Sequence, residues 1–270
     1  MKSGRLNKLV SQKGFTLMEI IGVMAIMAIL AGTLSPNIAD SLNRAYADAE
    51  IQNMEVIADS LNRYILQEKR IPSGNTSSWV KALSSFSTFT NEEIEYNSKG
   101  YRRQLIFDPR FFSHSDKKFS GFVQSKGLFE APVSPRVLLV SDMTRHVPSI
   151  SNSSKVFNAI WNQAKNSKFI ESNNVKIKRI HLSSKFHRVI LSNQNKSNAY
   201  YQLESGKYAF VPATKKGSDG VITRYIINST RIGLFKVPYP SGKLEQTAIL
   251  QSDWAMRYQA NGKNWHWVKP

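Results

Sequence analysis

The sequence predicts an α+β fold in which one long N-terminal α-helix packs against a head built mainly of antiparallel β-strands. Three observations lead to this prediction. Residues 15–34 form an almost uninterrupted apolar run, and apolar residues continue at helical spacing to about residue 69. From residue 75 onwards, short segments rich in β-branched and aromatic residues alternate with turns that contain glycine or proline.

The apolar run is long enough to cross a membrane as a helix. Its twenty residues span about 30 Å at about 1.5 Å per residue, the thickness of the hydrocarbon core of a bilayer. We therefore predict a transmembrane segment at residues 15–35. The run contains a single acidic residue, Glu19. A carboxylate at the centre of a membrane helix costs roughly 2.5–3.5 kcal/mol, so Glu19 is a functional hypothesis that requires a partner.

Beyond Pro36 the helical repeat continues with one polar face. Apolar residues recur at steps of three and four up to Ile65, and charged residues mostly take the other side. The sequence Pro72-Ser73-Gly74 is a cluster of helix breakers. We therefore expect the helix to end near Lys69. This divides the chain into a leader at 1–14, a helical segment at 15–72 and a head at 73–270.

The head is predicted to contain two short helices and a series of strands. One helix is expected at 79–86, and another is capped by Asn152 or Ser153 and runs to Ala164. A linker at 149–154 would subdivide the head near residue 150, but one composite head is equally compatible with the sequence. The expected strands are 104–107, 136–140, 175–182, 187–191, 200–203, 208–211, 221–227, 233–237, 248–250 and 265–268.

Charge is unevenly distributed along the chain, whose formal net charge is +18. Residues 1–14 contain four bases and no acids, and residues 15–72 contain four bases and seven acids. Residues 73–270 contain 29 bases and 12 acids, a net charge of +17. Such a head attracts polyanions, namely nucleic acid, lipopolysaccharide, acidic polysaccharide or an acidic partner subunit. The alternative is a solvated basic surface without a ligand.

Several basic residues are candidates for binding a polyanion. Two lysines alternate with apolar residues and share one face of a predicted strand, and the others form basic pairs. Contacts of this kind bind phosphates without reading a base sequence. The candidate residues are Lys176, Lys178, Arg102, Arg103, Lys215 and Lys216.

The sequence lacks the motifs of the common enzyme classes. Its five histidines show no metal-ligand spacing, and no G-x-S-x-G, Walker or G-x-G-x-x-G motif is present. There is no cysteine, so no disulfide can form. We therefore predict no catalytic residues, no metal site and no cofactor.

The segment Lys13-Gly14-Phe15-Thr16-Leu17-Met18-Glu19, followed by a long apolar helix, resembles the class III signal of type IV pilins and type II secretion pseudopilins. The resemblance extends from Gly14 to about Pro72. It implies that a prepilin peptidase cleaves after Gly14 and methylates the new amine of Phe15. It also implies that Glu19 serves methylation and subunit docking, and that the helix is softened at Pro36.

The physical chemistry of this segment agrees with the resemblance. Gly14 has no side chain, so a protease can approach the backbone closely. The four leader bases would hold residues 1–14 on the cytoplasmic side of a membrane. Cleavage would give Phe15 an α-amine, whose positive charge is a partner for Glu19. The alternative, a simple N-terminal anchor, leaves Glu19 unpaired.

The resemblance implies a structural subunit of a type IV pilus or a type II secretion pseudopilus. The large head suggests a minor subunit, and Glu19 argues against the tip position, where the acid is often missing. The implied partners are prepilin peptidase, other pilin or pseudopilin subunits, the inner-membrane assembly platform and, before assembly, membrane lipid. The implied location is the bacterial inner membrane, with a single pass and the head in the periplasm or outside, and then the filament.

A second function is compatible with the same sequence. The chain could be a minor pilin that binds DNA or another polyanion for uptake or adhesion. Its partner would then be nucleic acid or an acidic polysaccharide. The basic head is the feature that suggests this alternative.

Overall fold

A computed structural model describes residues 16–115, 119–150, 153–204, 206–215, 218–236, 243–259 and 264–268, without the side chains of residues 31, 33–37 and 267. The described residues form helices α1 (Leu17–Glu68), α2 (Thr76–Ser84), α3 (Asn91–Glu95) and α4 (Ser154–Trp161) and a 3₁₀ turn (Ser183–Lys185). Their strands are β1 (Arg70–Ile71), β2 (Gln104–Phe107), β3 (Phe122–Val123), β4 (Arg136–Asp142), β5 (Val175–His181), β6 (Phe186–Asn193), β7 (Ala199–Leu203), β8 (Ala209–Val211), β9 (Gly220–Ile227), β10 (Arg231–Phe235), β11 (Leu244–Ile249), β12 (Trp254–Tyr258) and β13 (Trp265–Val268).

Helix α1 is 52 residues long and is continuous through Pro36. Its end agrees with the predicted boundary, because Lys69 adopts a left-handed conformation with a φ of 52°. The Lys69 ammonium donates hydrogen bonds to the carbonyl of Leu66 and, at 2.8 Å, to the carbonyl of Asn228. Burial lowers the pKa of this lysine. The interaction ties the end of the helix to the turn between β9 and β10.

The chain divides into two units, one up to Tyr46 and one from Ala47 onwards. Within the described part of the chain, no helix combines the length and the apolar character that crossing a membrane requires. The transmembrane assignment of residues 15–35 therefore stays a prediction. The boundaries expected at residues 14, 72 and about 150 also stay predictions.

One core of the second unit lies between α1 and the sheet β2-β4-β5. From Met54 onwards the apolar stripe expected on α1 is buried or half-buried, whereas Ala49 is exposed, as are the charged residues expected on the other side. Fully or almost fully buried members are Met54, Ile57, Leu61 and Ile65 of the helix and Leu105, Val137 and Leu139 of the sheet. Residues 47–68 are thus part of the same core as the sheet.

The opposite face of the sheet β2-β4-β5 is covered by α4. Here Phe157 and Ile160 of the helix pack against Leu138, Val140 and Ile177. Alternation along the strands explains both cores, because successive side chains point to opposite faces. The continuous apolar sequence of β4 fits a strand that is buried on both sides.

Two four-stranded sheets enclose a third core, with strand orders β11-β10-β7-β8 and β13-β12-β6-β9. Among the described strand pairs, β6 and β12 are parallel and the other pairs are antiparallel. The predicted α+β class with mainly antiparallel strands is therefore confirmed.

The sequence-based elements agree with most of the strands but miss four strands and α-helices and displace three elements. The short strands β1 and β3, the strand β12 and the helix α3 were not predicted. The helix expected at 79–86 is displaced, because α2 runs from Thr76 to Ser84, and the strand expected at 233–237 is displaced, because β10 runs from Arg231 to Phe235. The strand expected at 248–250 is wrong in its limits, because β11 runs from Leu244 to Ile249. A β-bulge between Leu234 and Phe235 shifts the register of β11 against β10. This irregularity weakens the alternation on which the prediction depends.

Tyr258, which is 1% exposed, provides a test of the core between the two four-stranded sheets. Its hydroxyl has no hydrogen-bond partner among the described residues. Burial, and to a smaller extent the negative charge of Glu245, raises the pKa of Tyr258 to about 12. In the unfolded chain the phenol ionises near pH 10. The folded state therefore loses stability as the pH rises from about 10 to about 12, by about 2 kcal/mol.

We expect Tyr258→Phe to remove this alkaline loss and to leave stability at pH 7 unchanged or slightly higher, because an unpaired buried hydroxyl is removed. The measurement is urea unfolding of both proteins at pH 8 and at pH 11. Equal losses of unfolding free energy in the two proteins would show that Tyr258 does not titrate in this way.

Candidate functional site

The start of α1 forms a capping box between Thr16 and Glu19. The backbone N–H and the hydroxyl of Thr16 donate to Oε2 of Glu19, at 2.8 and 2.9 Å. The backbone N–H of Glu19 donates to Oγ1 of Thr16 at 3.3 Å. This reciprocal arrangement satisfies amide groups that a helix start otherwise leaves unpaired. Within its own chain, the Glu19 carboxylate therefore has a local partner that the sequence analysis did not identify.

Helix α3 begins with the same arrangement. Thr90 donates its backbone N–H and its hydroxyl to Glu93 at 2.8 and 2.9 Å, and Glu93 donates back at 3.3 Å. The two capping boxes have the same chemistry and the same geometry. Only the box at Glu19 is followed by a long apolar sequence. Glu93 is therefore an internal control for the role of Glu19.

The N-terminal half of α1 exposes apolar side chains around the helix. Leu17 is 78% exposed and Met18 is 84% exposed. An added Cβ at Gly22 or Gly32 would meet no atom within 4 Å, so these positions leave room for a close neighbour. A helix that is apolar on all sides is normally buried in protein or lipid. The other large exposed side chains here are Ile20, Ile21, Val23, Met24, Ile26, Met27, Ile29 and Leu30.

Of the other predicted processing and assembly residues, the structure describes only the backbone of Pro36. Gly14 and Phe15, the predicted cleavage and methylation positions, lie outside the described residues, as does Lys216. Pro36 lies within α1, but its side chain is outside the description. The roles assigned to Gly14, Phe15, Glu19 and Pro36 stay predictions.

The described basic candidates lie in three separate parts of the chain, and no described contact joins these parts. Lys176 and Lys178 lie on β5, where Lys178 pairs with Glu55 of α1. Arg102 pairs with Glu95, with 2.9 Å between Nε and Oε1. Lys215 is exposed and lies in an isolated bridge with Ser218. The structure does not gather the described members of the predicted set into a single site.

Arg103 requires a correction, because its side chain is 1% exposed. Its Nε and Nη2 donate to the two carboxylate oxygens of Glu50 at 2.6 and 2.7 Å, and Glu50 is itself 0% exposed. Nη1 donates to three carbonyl groups around the end of α3. A side chain enclosed in this way cannot contact a polyanion. Arg103 instead joins α1 to α3.

The sequence contains a signal for this buried pair that did not enter the prediction. Glu50 lies three residues after Ala47 and four residues before Met54, and both of these residues are buried. It therefore occupies the buried face of α1, where an acid needs a partner. The helical spacing identifies Glu50 as such a position, but it does not identify Arg103.

The described residues show no arrangement of three histidine, aspartate or glutamate side chains that could hold a metal ion. The candidate functional site is the N-terminal part of α1, with its capped carboxylate and its exposed apolar surface.

Comparison with known proteins identifies the same part of the chain. Residues 10–35 match the family model of the prokaryotic N-terminal methylation motif. A relative from Klebsiella michiganensis, the type II secretion system core protein G, is 33% identical over 99 residues, which cover 37% of this chain and 68% of the relative. The chain belongs to the pilin and pseudopilin family.

Two further relatives carry the same name, type II secretion system core protein G. The protein from Pectobacterium carotovorum is 34% identical over 98 residues, which cover 36% of this chain and 62% of the relative. The protein from Vibrio cholerae is 28% identical over 117 residues, which cover 42% of this chain and 78% of the relative. The chain thus spans less than two thirds of the length of the Pectobacterium relative. The prediction that the chain is not an enzyme agrees with this non-enzymatic family.

Proposed function

We propose that this pseudopilin-family chain is a structural subunit of a type II secretion pseudopilus, cleaved between Gly14 and Phe15 and assembled through the N-terminal half of α1. The observation that carries the proposal is the combination of a methylation motif, a capped acid at the helix start and an apolar surface that needs a covering. Prepilin peptidase, other pseudopilin subunits and an inner-membrane assembly platform are the proposed partners.

In this proposal the apolar surface of α1 contacts lipid first and neighbouring helices later. The subunit first waits in the inner membrane, where lipid covers residues 15–35 and Thr16 holds the Glu19 carboxylate. On entry into the filament, neighbouring helices replace the lipid. The α-amine of Phe15 on an adjoining subunit then pairs with Glu19, because a buried acid needs an opposite charge. Gly22 and Gly32 allow helices to approach closely.

We also propose that the chain is a minor subunit. The aligned residues form a smaller share of this chain than of the Klebsiella relative, 37% against 68%, so this chain is the longer one. A larger head leaves less room for identical heads to stack closely along a filament. Occasional incorporation among smaller subunits avoids this crowding.

The proposal is tested by shearing filaments from cells that assemble the secretion system from tagged components. We expect the chain to be recovered in the sheared fraction, in an amount well below that of the major subunit, when both are quantified by mass spectrometry. Retention of all of the chain in the membrane fraction would contradict a filament role. An amount equal to that of the major subunit would contradict the minor role.

Polyanion binding is the second candidate function, and the charge of residues 73–270 favours it. These residues carry 29 bases and 12 acids. If this charge drives binding, the logarithm of the affinity falls linearly as the logarithm of the salt concentration rises. Polyanion binding should be measured as a function of salt concentration on the full chain, because a fragment starting at residue 73 would lack the part of the core that α1 provides.

A further inference from the structure

Two arginines contact a second fully buried carboxylate, that of Asp108. Arg136 donates to Oδ2 of Asp108 through Nε, at 3.2 Å, and through Nη2. Nη2 also donates to Oδ1 of Asn158 at 2.7 Å. Arg110 donates to the same carboxylate through Nε and Nη2, at 3.2 Å each. One carboxylate thus holds two guanidinium groups, so the cluster retains a positive charge.

The guanidinium of Arg136 is also fixed by aromatic rings. Its central carbon lies 5.3 Å from the ring centroid of Phe157 and 4.9 Å from that of Trp161. His181, the cross-strand neighbour of Arg136, contacts Trp161 edge to face with centroids 4.8 Å apart. A guanidinium stacked and bonded in this way loses little conformational entropy when it binds a ligand.

The open side of this cluster faces a groove of about 480 Å³. Four polar groups that line it have no hydrogen-bond partner within the described ranges of the chain. These groups are Nη1 of Arg136, the imidazole of His181, the hydroxyl of Ser183 and the side-chain amide of Asn162. None of the described lining residues is acidic. The groove therefore presents the guanidinium groups of Arg110 and Arg136 together with side chains that form hydrogen bonds and carry no negative charge.

This arrangement suits an acidic polysaccharide better than a single-stranded nucleic acid. The remaining donor group of Arg136, Nη1, can donate to a carboxylate oxygen, and amide and hydroxyl side chains match sugar hydroxyl groups. A site for single-stranded nucleic acid needs an aromatic face on which bases stack. The ring of Trp161 is already in contact with Phe157, Arg136 and His181.

We propose that the groove at Arg136, His181, Ser183 and Asn162 binds a uronate residue of an acidic polysaccharide. The inference rests on the second candidate function, polyanion binding, and it places that binding at residues outside the set suggested by the sequence. Arg136 binds the carboxylate through Nη1. Asn162 and Ser183 bind hydroxyl groups of the same or the adjacent sugar.

The test measures binding of a defined oligogalacturonate to the full chain in detergent by isothermal titration calorimetry at low salt. Asn162→Ala and Ser183→Ala change no charge, and each is expected to weaken binding about 3- to 10-fold, the usual effect of one hydrogen bond. Arg136→Lys keeps a positive charge but removes the Nη1 donor, so it is expected to weaken binding by a similar factor. Tryptophan fluorescence checks that each variant is folded.

Lys196→Ala is the matched control, because it removes an exposed charge outside the groove. It is expected to weaken binding less than about twofold. A larger loss for Lys196→Ala than for Asn162→Ala would overturn the proposed site in favour of diffuse charge. If Asn162→Ala weakens the binding of an oligothymidylate of the same charge by an equal factor, the groove would be assigned to nucleic acid instead. Absence of binding by any probe would remove the second candidate function and leave the filament role intact.

Discussion

Glu19→Ala is expected to reduce incorporation of the chain into sheared filaments at least about tenfold, while the rest of the chain folds normally. In the proposed filament, the variant would leave the Phe15 amine of an adjoining subunit without its partner in an apolar surrounding. Breaking a buried ion pair in this way costs about 3–5 kcal/mol, which is more than enough for such a loss. The measurement is shear fractionation followed by quantitative blotting of the filament and membrane fractions.

Glu93→Ala is the matched control for this experiment. It removes the same type of capping box from α3 that Glu19→Ala removes from α1. Loss of a cap alone costs about 1 kcal/mol. If Glu19 acts only as a cap, both variants should therefore assemble about equally well. Normal incorporation of the Glu19→Ala protein would contradict the proposed role in assembly.

Glu50→Ala is expected to lower the free energy of unfolding by about 3–5 kcal/mol, because it leaves the buried guanidinium of Arg103 without its counter-ion. Both side chains are at most 1% exposed and share two short hydrogen bonds. The effect can be measured by urea unfolding followed by tryptophan fluorescence. We expect the midpoint to fall while the slope of the transition stays similar.

Two further variants define the origin of this loss. Glu55→Ala breaks the partly exposed pair with Lys178 and should cost less than about 1 kcal/mol. The double variant Glu50→Leu with Arg103→Met removes both charges and should be more stable than Glu50→Ala. A cost for Glu50→Ala as small as that for Glu55→Ala would contradict the assignment of a tightly buried pair.

The sequence predicted those parts of the fold that depend on local patterns. The 52 residues of α1 were predicted from apolar spacing and from the breaker cluster after it, and β2 and β13 have the predicted limits. Helix α3 was missed although Thr90 and Glu93 form the capping-box pattern in the sequence. The signal was present, but the helix of five residues is too short to show a periodic repeat.

Elements that depend on distant partners were not predictable in this way. Strands β1 and β3 have two residues each and exist because they pair with one another. Strand β12 lacks regular alternation and is held by a parallel partner, β6, about 65 residues earlier in the chain. Parallel pairing over such a separation leaves no short-range signal.

The functional residues also differ in whether they belong to a local sequence motif or to a contact between distant residues. The assignment of Gly14, Phe15 and Glu19 rests on a compact motif that can be read within a few residues. The contact between Glu50 and Arg103 joins residues 53 positions apart, and that between Asp108 and Arg136 joins residues 28 positions apart. Because such contacts are created by packing, the basic residues could be counted from the sequence but not sorted into buried and exposed groups.

The central claim is that the chain is cut after Gly14 and assembled with Phe15 as its first residue. The most direct measurement is intact-mass and N-terminal peptide mass spectrometry of the protein isolated from its native host, with and without an active prepilin peptidase. We expect the active strain to yield a chain that begins at N-methylated Phe15 and the inactive strain to yield a chain that retains residues 1–14. A chain that begins at Met1 in the active strain would contradict the account.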